Sequence, residues 1–313
     1  MSTYALRRLL STLPVIVAVA VLVFVVLRLA PGDPALAIAG DGATPQELQR
    51  MRAQLGLDKT LFEQFLIWGR SMLRLDFGNS LYYHVPVTTL IGQRILPTAN
   101  LALLTMLMAV PTAVGLGTLA ASRQGSLVDR AVNAFAVLAF SVPVFVLGYV
   151  LIWLFAVHFA LLPVQGLGAE GASPGVKLLH YLLPAVGLAF GQIALLTRVT
   201  RASVIDTLGE DYIRTAYAKG ASARRVLWRH AVRTAAVPIV TVIGLSFAVL
   251  IGGVVVTETV YAIPGLGKLT VDAVLARDFP VVQGLVIFFS ALYVGINLVV
   301  DLLYMALDPR IRY

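Results

Sequence analysis

Apolar residues in this chain come in long blocks, at residues 9–27, 99–121, 132–157, 179–196, 237–256 and 281–305. Each is about as long as a helix must be to cross a ~30 Å hydrocarbon layer. The pattern predicts an all-α polytopic membrane protein with six transmembrane helices. The first block is too long for a signal-peptide core and ends in Arg28-Leu29-Ala30-Pro31-Gly32-Asp33-Pro34 without a small-x-small cleavage site. It reads as an uncleaved anchor. Pro143, just behind Ser141, predicts a kink in the third span. Gly187 and Gly191 form a small-xxx-small pair that would let a neighbouring helix approach, and both features read as packing.

The polar stretches predict short helices. Thr44-Pro45-Gln46-Glu47 is a capping box with proline at the first helical position, and Gly56 should end that helix. Thr60-Leu61-Phe62-Glu63 repeats the signal and opens a helix with Leu61, Phe65, Trp68, Met72 and Leu75 available to one side. Such a helix suits a membrane surface or the side of the spans. Residues 31–95 as a whole read as a structural cap over the outer mouth.

Residues 210–220 are different. They predict a short polar helix with Glu210 and Asp211 at its start and Lys219 at its end, which suits the helix dipole. Glu210 and Arg214 are spaced to pair, and Gly220 falls where a left-handed residue would stop the helix. A second, basic helix over 223–236 leads into the fifth span. Its Arg225, Arg229 and Arg233 form a stripe at i, i+4 spacing, and for Arg229 and Arg233 anionic lipid headgroups are the favoured contact.

Composition sharpens this picture. The chain is 59% hydrophobic and only 13% charged over 313 residues, far from the ~25% charged of a soluble domain. The net charge of +8 is no nucleic-acid signature, because the excess lies in short loops. With the N-terminus placed in the cytoplasm, the inner segments hold Arg7, Arg8, Arg123, Arg130, Arg198, Arg201, Arg214, Lys219, Arg224, Arg225, Arg229, Arg233, Arg310 and Arg312. The short outer loops hold only Lys177, Lys268 and Arg277. Positive-inside bias then puts both termini and the 210–220 helix in the cytoplasm.

Catalytic patterns are missing. No Gly-x-Ser-x-Gly or His-Glu-x-x-His occurs, and cysteine is absent. His84, His158, His180 and His230 lack chelating spacing, so no metal site is expected. Gly267-Lys268 followed by Thr270 lacks the rest of a phosphate loop and reads as part of a turn, Pro264-Gly265-Leu266-Gly267. Asp301 lies near the inner end of the sixth span and Glu258 at the outer end of the fifth. Neither sits at the midplane, where a self-sufficient ion-coupled carrier would place a carboxylate.

A six-span protein with no engine of its own and a polar helix outside the membrane suggests a pore worked by a separate motor. Here the residues meet a family. Arg214-Thr215-Ala216-Tyr217-Ala218-Lys219-Gly220 resembles the cytoplasmic Glu-Ala-Ala loop of ABC importer permeases, with Ala216 and Gly220 on matching positions. Arg214 and Thr215 depart from the general pattern, as does Arg233 where it has proline. Those departures resemble the dipeptide/oligopeptide/nickel branch. So do Pro31-Gly32-Asp33-Pro34, Leu55-Gly56-Leu57-Asp58, Glu258-Thr259-Val260 with Pro264-Gly265-Leu266-Gly267, and the ending Leu307-Asp308-Pro309-Arg310-Ile311-Arg312-Tyr313. The resemblance spans the whole chain.

It implies an ABC type I importer permease fold, in which residues 1–93 are a first span plus an extracytoplasmic helical segment. Residues 94–304 would be the permease domain, with its coupling loop at 199–235, and 305–313 a cytoplasmic tail. It also implies a second permease, two cytoplasmic ATPases that hold the ATP and magnesium, and an extracytoplasmic solute-binding protein. The chain itself would take no cofactor and catalyse nothing. The ATPase-coupling residues implied are Asp211, Arg214, Thr215, Ala216, Lys219, Gly220, Arg224 and Arg225. Di- or oligopeptides are the expected cargo, with glutathione and nickel as alternatives, in a bacterial inner membrane. The rival from another class is a self-sufficient secondary transporter or channel.

Overall fold

The computed structural model describes residues 2–29, 35–36, 42–54, 56–169 and 171–307. Pro31-Gly32-Asp33-Pro34, Leu55 and residues 308–313 of the tail lie outside the described residues. Eleven helices are named here: α1 (Ser2–Leu29), α2 (Pro45–Gln54), α3 (Leu61–Leu73), α4 (Val87–Ser122), α5 (Leu127–Ser141), α6 (Val144–Leu151), α7 (Pro174–Leu208), α8 (Asp211–Ala218), α9 (Ala236–Val260), α10 (Leu266–Leu275) and α11 (Phe279–Leu307). A π-helical stretch, Ile152–His158, continues α6. No strand occurs among the described residues.

Four helices, α4, α7, α9 and α11, are each long and apolar enough to cross a membrane. The third expected span differs from a simple kinked helix: Leu127–Ser141 and Val144–His158 meet at 98°. Pro143 explains the break, since it donates no N–H and biases the residue before it toward extended backbone. Val142 is extended at φ −88°, ψ 121°. Counting the bent pair as one span gives five among the described residues. The remaining expected span, 9–27, lies on α1, whose 28 residues would measure about 42 Å. The apolar run among its described side chains is Pro14–Val26.

The chain divides into two compact units, Met1–Leu96 with Lys268–Val294, and Pro97–Gly267 with Gly295–Tyr313. In the first, both capping boxes form. The Thr44 N–H donates to Glu47 at 2.8 Å, and the Thr60 N–H to Glu63 at 3.0 Å. The Thr60 N–H and then its hydroxyl hold the Glu63 carboxyl below the ordinary carboxylate value. Gly56 ends α2 at φ +66°. On α3, Phe65 meets Phe24 of α1 edge to face and Trp68 meets it at a tilt, each with ring centroids 5.3 Å away. Leu61 and Leu75 do not join this face and stay exposed. Buried Asp278 accepts hydrogen bonds from the Ser80 hydroxyl and from the Leu81 and Tyr82 N–H groups, which ties residues 80–82 to the start of α11.

In the second unit α7 is central, packing on α5, α6 and α9. Its core joins Leu101 and Met106 of α4, Leu151 of α6, Leu188 of α7 and Leu250 and Val254 of α9. Tyr261 is buried in the same cluster and donates its hydroxyl to the Gly148 carbonyl at 3.2 Å.

Glu258 is not a free carboxylate at a span end. It is 0% exposed and accepts the Thr98 hydroxyl at 2.6 Å, while Thr98 accepts the Leu266 N–H at 2.8 Å. A Cβ on Gly265 would fall on the Glu258 carboxylate, so only glycine fits there. The expected turn 264–267 is thus half turn and half helix, since α10 already begins at Leu266. Lys268, on that helix, pairs with Asp272 at 3.0 Å.

Candidate functional site

α8 is eight residues long and opens at Glu210, whose extended backbone makes it the N-cap. Its sequence alternates by helical spacing between one inward stripe and a polar remainder. Ile213 is 1% exposed and sits in a cluster with Ala121 of α4, Val204 of α7 and Ile239 of α9. Ala216, three residues on, packs against the same cluster. One stripe therefore pins the helix to three spans, as an amphipathic helix requires.

Its C-terminus closes as expected. Gly220 has φ +81°, its N–H reaches the Tyr217 carbonyl at 2.9 Å, and the Ala221 N–H reaches that of Ala216 at 3.1 Å. This bond pair is the Schellman closure. A Cβ on Gly220 would meet nothing within 4 Å. Its glycine is required by backbone conformation, and its surface is open.

Of the eight residues singled out above, Asp211, Arg214, Thr215, Lys219, Gly220, Arg224 and Arg225 are exposed around this turn, and Ala216 faces inward. The expected Glu210–Arg214 pair is replaced. Arg214 reaches Asp211 at 3.4 Å, with side chains 80% and 96% exposed. Glu210, as N-cap, has already left the helical path that would bring it over Arg214.

Sequence reading passed over three aromatics in the same region. Tyr212, Tyr217 and Trp228 are 41%, 46% and 50% exposed. Tyrosine, tryptophan and arginine are the residues that dominate binding hot spots, and aromatics left in water beside a basic loop were the available signal. Tyr212 donates its hydroxyl to Thr234 at 3.0 Å.

The basic helix expected over 223–236 is not uniform. Ala223–Arg225 and Val232–Thr234 are α-helical turns separated by a π-helical stretch, Val226–Ala231. The wider turn shifts Arg229 and Arg233 from a simple four-residue stripe with Arg225.

A second feature missed in sequence joins α7 to α5. Arg201 of α7 grips Asp129 of α5 with two bonds, Nε at 2.6 Å and Nη2 at 2.8 Å. Asp129 also accepts the Gly125 N–H at 2.9 Å and the Asn133 side-chain amide at 2.8 Å. Among the described residues no cluster of three or more His, Cys, Asp or Glu side chains could hold a metal ion.

The fold is similar to a chain of the MetNI methionine ABC transporter, solved in inward facing conformations, at TM-score 0.59 and 17% identity over 71% of this chain and 97% of that one. It is also similar to an amino acid ABC transporter at TM-score 0.51 and 16% identity, covering 70% and 94%.

Residues 113–313 match the family described as binding-protein-dependent transport system inner membrane component. Residues 1–102 match that family's N-terminal component. The chain belongs to this family and is an ABC importer permease of the inner membrane. Over its full length it is 50% identical to a probable peptide ABC transporter permease protein of Sinorhizobium fredii, covering all 313 residues of both. It is 42% identical to a putative peptide transport system permease protein of Brucella abortus and 43% identical to the glutathione transport system permease protein GsiC of Salmonella typhi, again over 100% of each chain.

Proposed function

We propose that this chain pairs with a second permease to line the path of a peptide importer. Two ATPases, which hold ATP and magnesium, grip α8 of one permease and its equivalent on the other. An extracytoplasmic binding protein delivers the solute. The relatives' names support a peptide cargo, which we take to be di- or oligopeptides, with glutathione as a close alternative of the same amide chemistry. In this reading both termini and α8 lie in the cytoplasm, and residues 94–304 act as the permease domain around the 199–235 loop. Asp211, Arg214, Thr215, Lys219, Gly220, Arg224 and Arg225 meet the ATPase, with Tyr212, Tyr217 and Trp228 added to them.

The observation that supports this is the two-sided build of α8. Its outer face offers exposed charge and aromatic surface, and its one buried residue, Ile213, is seated among α4, α7 and α9. A push on α8 is thereby passed to three spans through a packed core, which transmits displacement rather than absorbing it.

The test is solute uptake and ATPase activity of the reconstituted complex, with two substitutions at Gly220. Asparagine tolerates the left-handed backbone and alanine does so at a cost of about 1 kcal/mol. Within this chain neither side chain meets an obstacle. If Gly220 lies against an ATPase, both Gly220→Asn and Gly220→Ala lose most uptake while the complex still co-purifies. Normal transport by the asparagine variant, with alanine impaired, would make Gly220 a helix stop alone.

A further inference from the structure

α3 carries more apolar surface than its contact with α1 uses. At about 100° per residue, Phe65, Trp68 and Met72 fall on one side of the helix, and the first two meet Phe24 there. Phe62, Leu66 and Leu73 fall on a second side, about a quarter-turn round, and all three are exposed. Gln64 and Ser71 lie opposite this second stripe, and Glu63 and Arg70 lie opposite the α1 contact. The sequence offered either the flank of a span or a membrane surface for this helix; the structure gives it a face for each.

Phe24 sets the depth at which α3 sits. The apolar block of α1 ends at Arg28, four residues further on, or about 6 Å along the helix axis. A helix seated on Phe24 therefore lies where hydrocarbon gives way to headgroups. The charge beside the exposed stripe suits that level. Arg70 and Arg74, both exposed, stand toward its C-terminal end, and a guanidinium fork matches phosphate oxygens.

The closure of α3 is a separate sign. Leu75 has φ +58°, its N–H reaches the Met72 carbonyl at 2.9 Å, and the Asp76 N–H reaches that of Ser71 at 3.0 Å. This is the Schellman closure, in which glycine is the usual left-handed residue. Leucine strains the backbone there, and its side chain is 72% exposed, beside Leu73 at 89%. In water nothing offsets that strain. In a bilayer the burial of the side chain does.

We infer that α3 is an interfacial lipid anchor. Phe62, Leu66, Leu73 and Leu75 enter the acyl chains of the leaflet in which α1 ends, the outer one in the topology proposed above, while Arg70 and Arg74 hold lipid phosphates. Gln64 and Ser71 are then turned away from the hydrocarbon. Lipid, rather than a protein partner, covers the exposed stripe.

The chain has no cysteine, so one nitroxide label can be placed by Leu66→Cys, Leu73→Cys, Leu75→Cys or Ile67→Cys. Each variant is assembled into the full importer with cysteine-free partner subunits, in vesicles of phosphatidylethanolamine and phosphatidylglycerol. Ile67 is exposed but lies on another side of α3 from the stripe. Collisions of the label with oxygen, which concentrates in hydrocarbon, are compared with collisions with a water-soluble nickel chelate. The labels replacing the three leucines should favour oxygen and report depths of about 5–10 Å below the headgroup boundary. The label replacing Ile67 should favour the chelate. Leucine-site labels that meet both reagents freely would put the stripe in water and overturn the anchor. Labels shielded from both would put a protein partner over the stripe and overturn it equally.

Discussion

The connection from α7 to α9 leaves Asp211, Arg214, Lys219, Arg224 and Arg225 exposed, whereas the one that follows α9 buries Glu258 completely. Both are short polar stretches between spans, and both end a helix against a glycine-containing turn. The difference lies in who supplies the partners. Glu258 is met by the Thr98 hydroxyl and enclosed where Gly265 has no side chain, so its carboxylate builds the chain's own fold. Among the described residues the ion pair at α8 joins Arg214 to Asp211, and it is of the exposed kind that contributes little to stability. Polar groups buried at a turn organise the subunit. Those left outside are available to another one.

Breaking the buried side should have the largest effect. Gly265→Ala would drive a Cβ into the Glu258 carboxylate, at or above the ~3 kcal/mol upper range of overpacking costs. Thermal unfolding of the detergent-solubilised complex should show it, with yield falling in parallel. A midpoint equal to wild type would mean that the turn moves aside freely.

Next comes the hinge between the two kinds of surface. Ile213→Ala empties a buried place among three spans and should cost about 2–3 kcal/mol. Because it unpins α8 without touching its outer face, ATPase binding should persist while uptake per ATP falls. Equal loss of binding and coupling would show that the helix cannot form without its anchor.

The smallest stability effect belongs to the outer face. Arg214→Ala should leave the unfolding midpoint unchanged, since the Asp211 pair is almost fully exposed. Its expected consequence is weaker retention of the ATPase, about tenfold in a salt-dependent binding assay. A large drop in the subunit's own stability would erase the distinction drawn between the two connections.

What could be read along the chain were the features that depend on near neighbours. Span positions follow from block length, the capping boxes at Thr44 and Thr60 from residues three apart, and the closure at Gly220 from one backbone conformation. The exposed face of α8 was legible for the same reason, because an eight-residue helix has little room for more than one inward stripe. Tertiary structure decided the rest. Arg201 meets Asp129 across 72 positions, and no periodicity encodes that distance. Pro143 announced a weakness in the third span, but the 98° angle at which its halves meet is visible only in the fold. Glu258 looked like a helix-end charge until Thr98 and Gly265 closed around it. The pair Gly187 and Gly191 looked like helix packing until the fold left open space beside Gly191. Local signals fix where the backbone turns; which side chains meet is set when distant spans pack together.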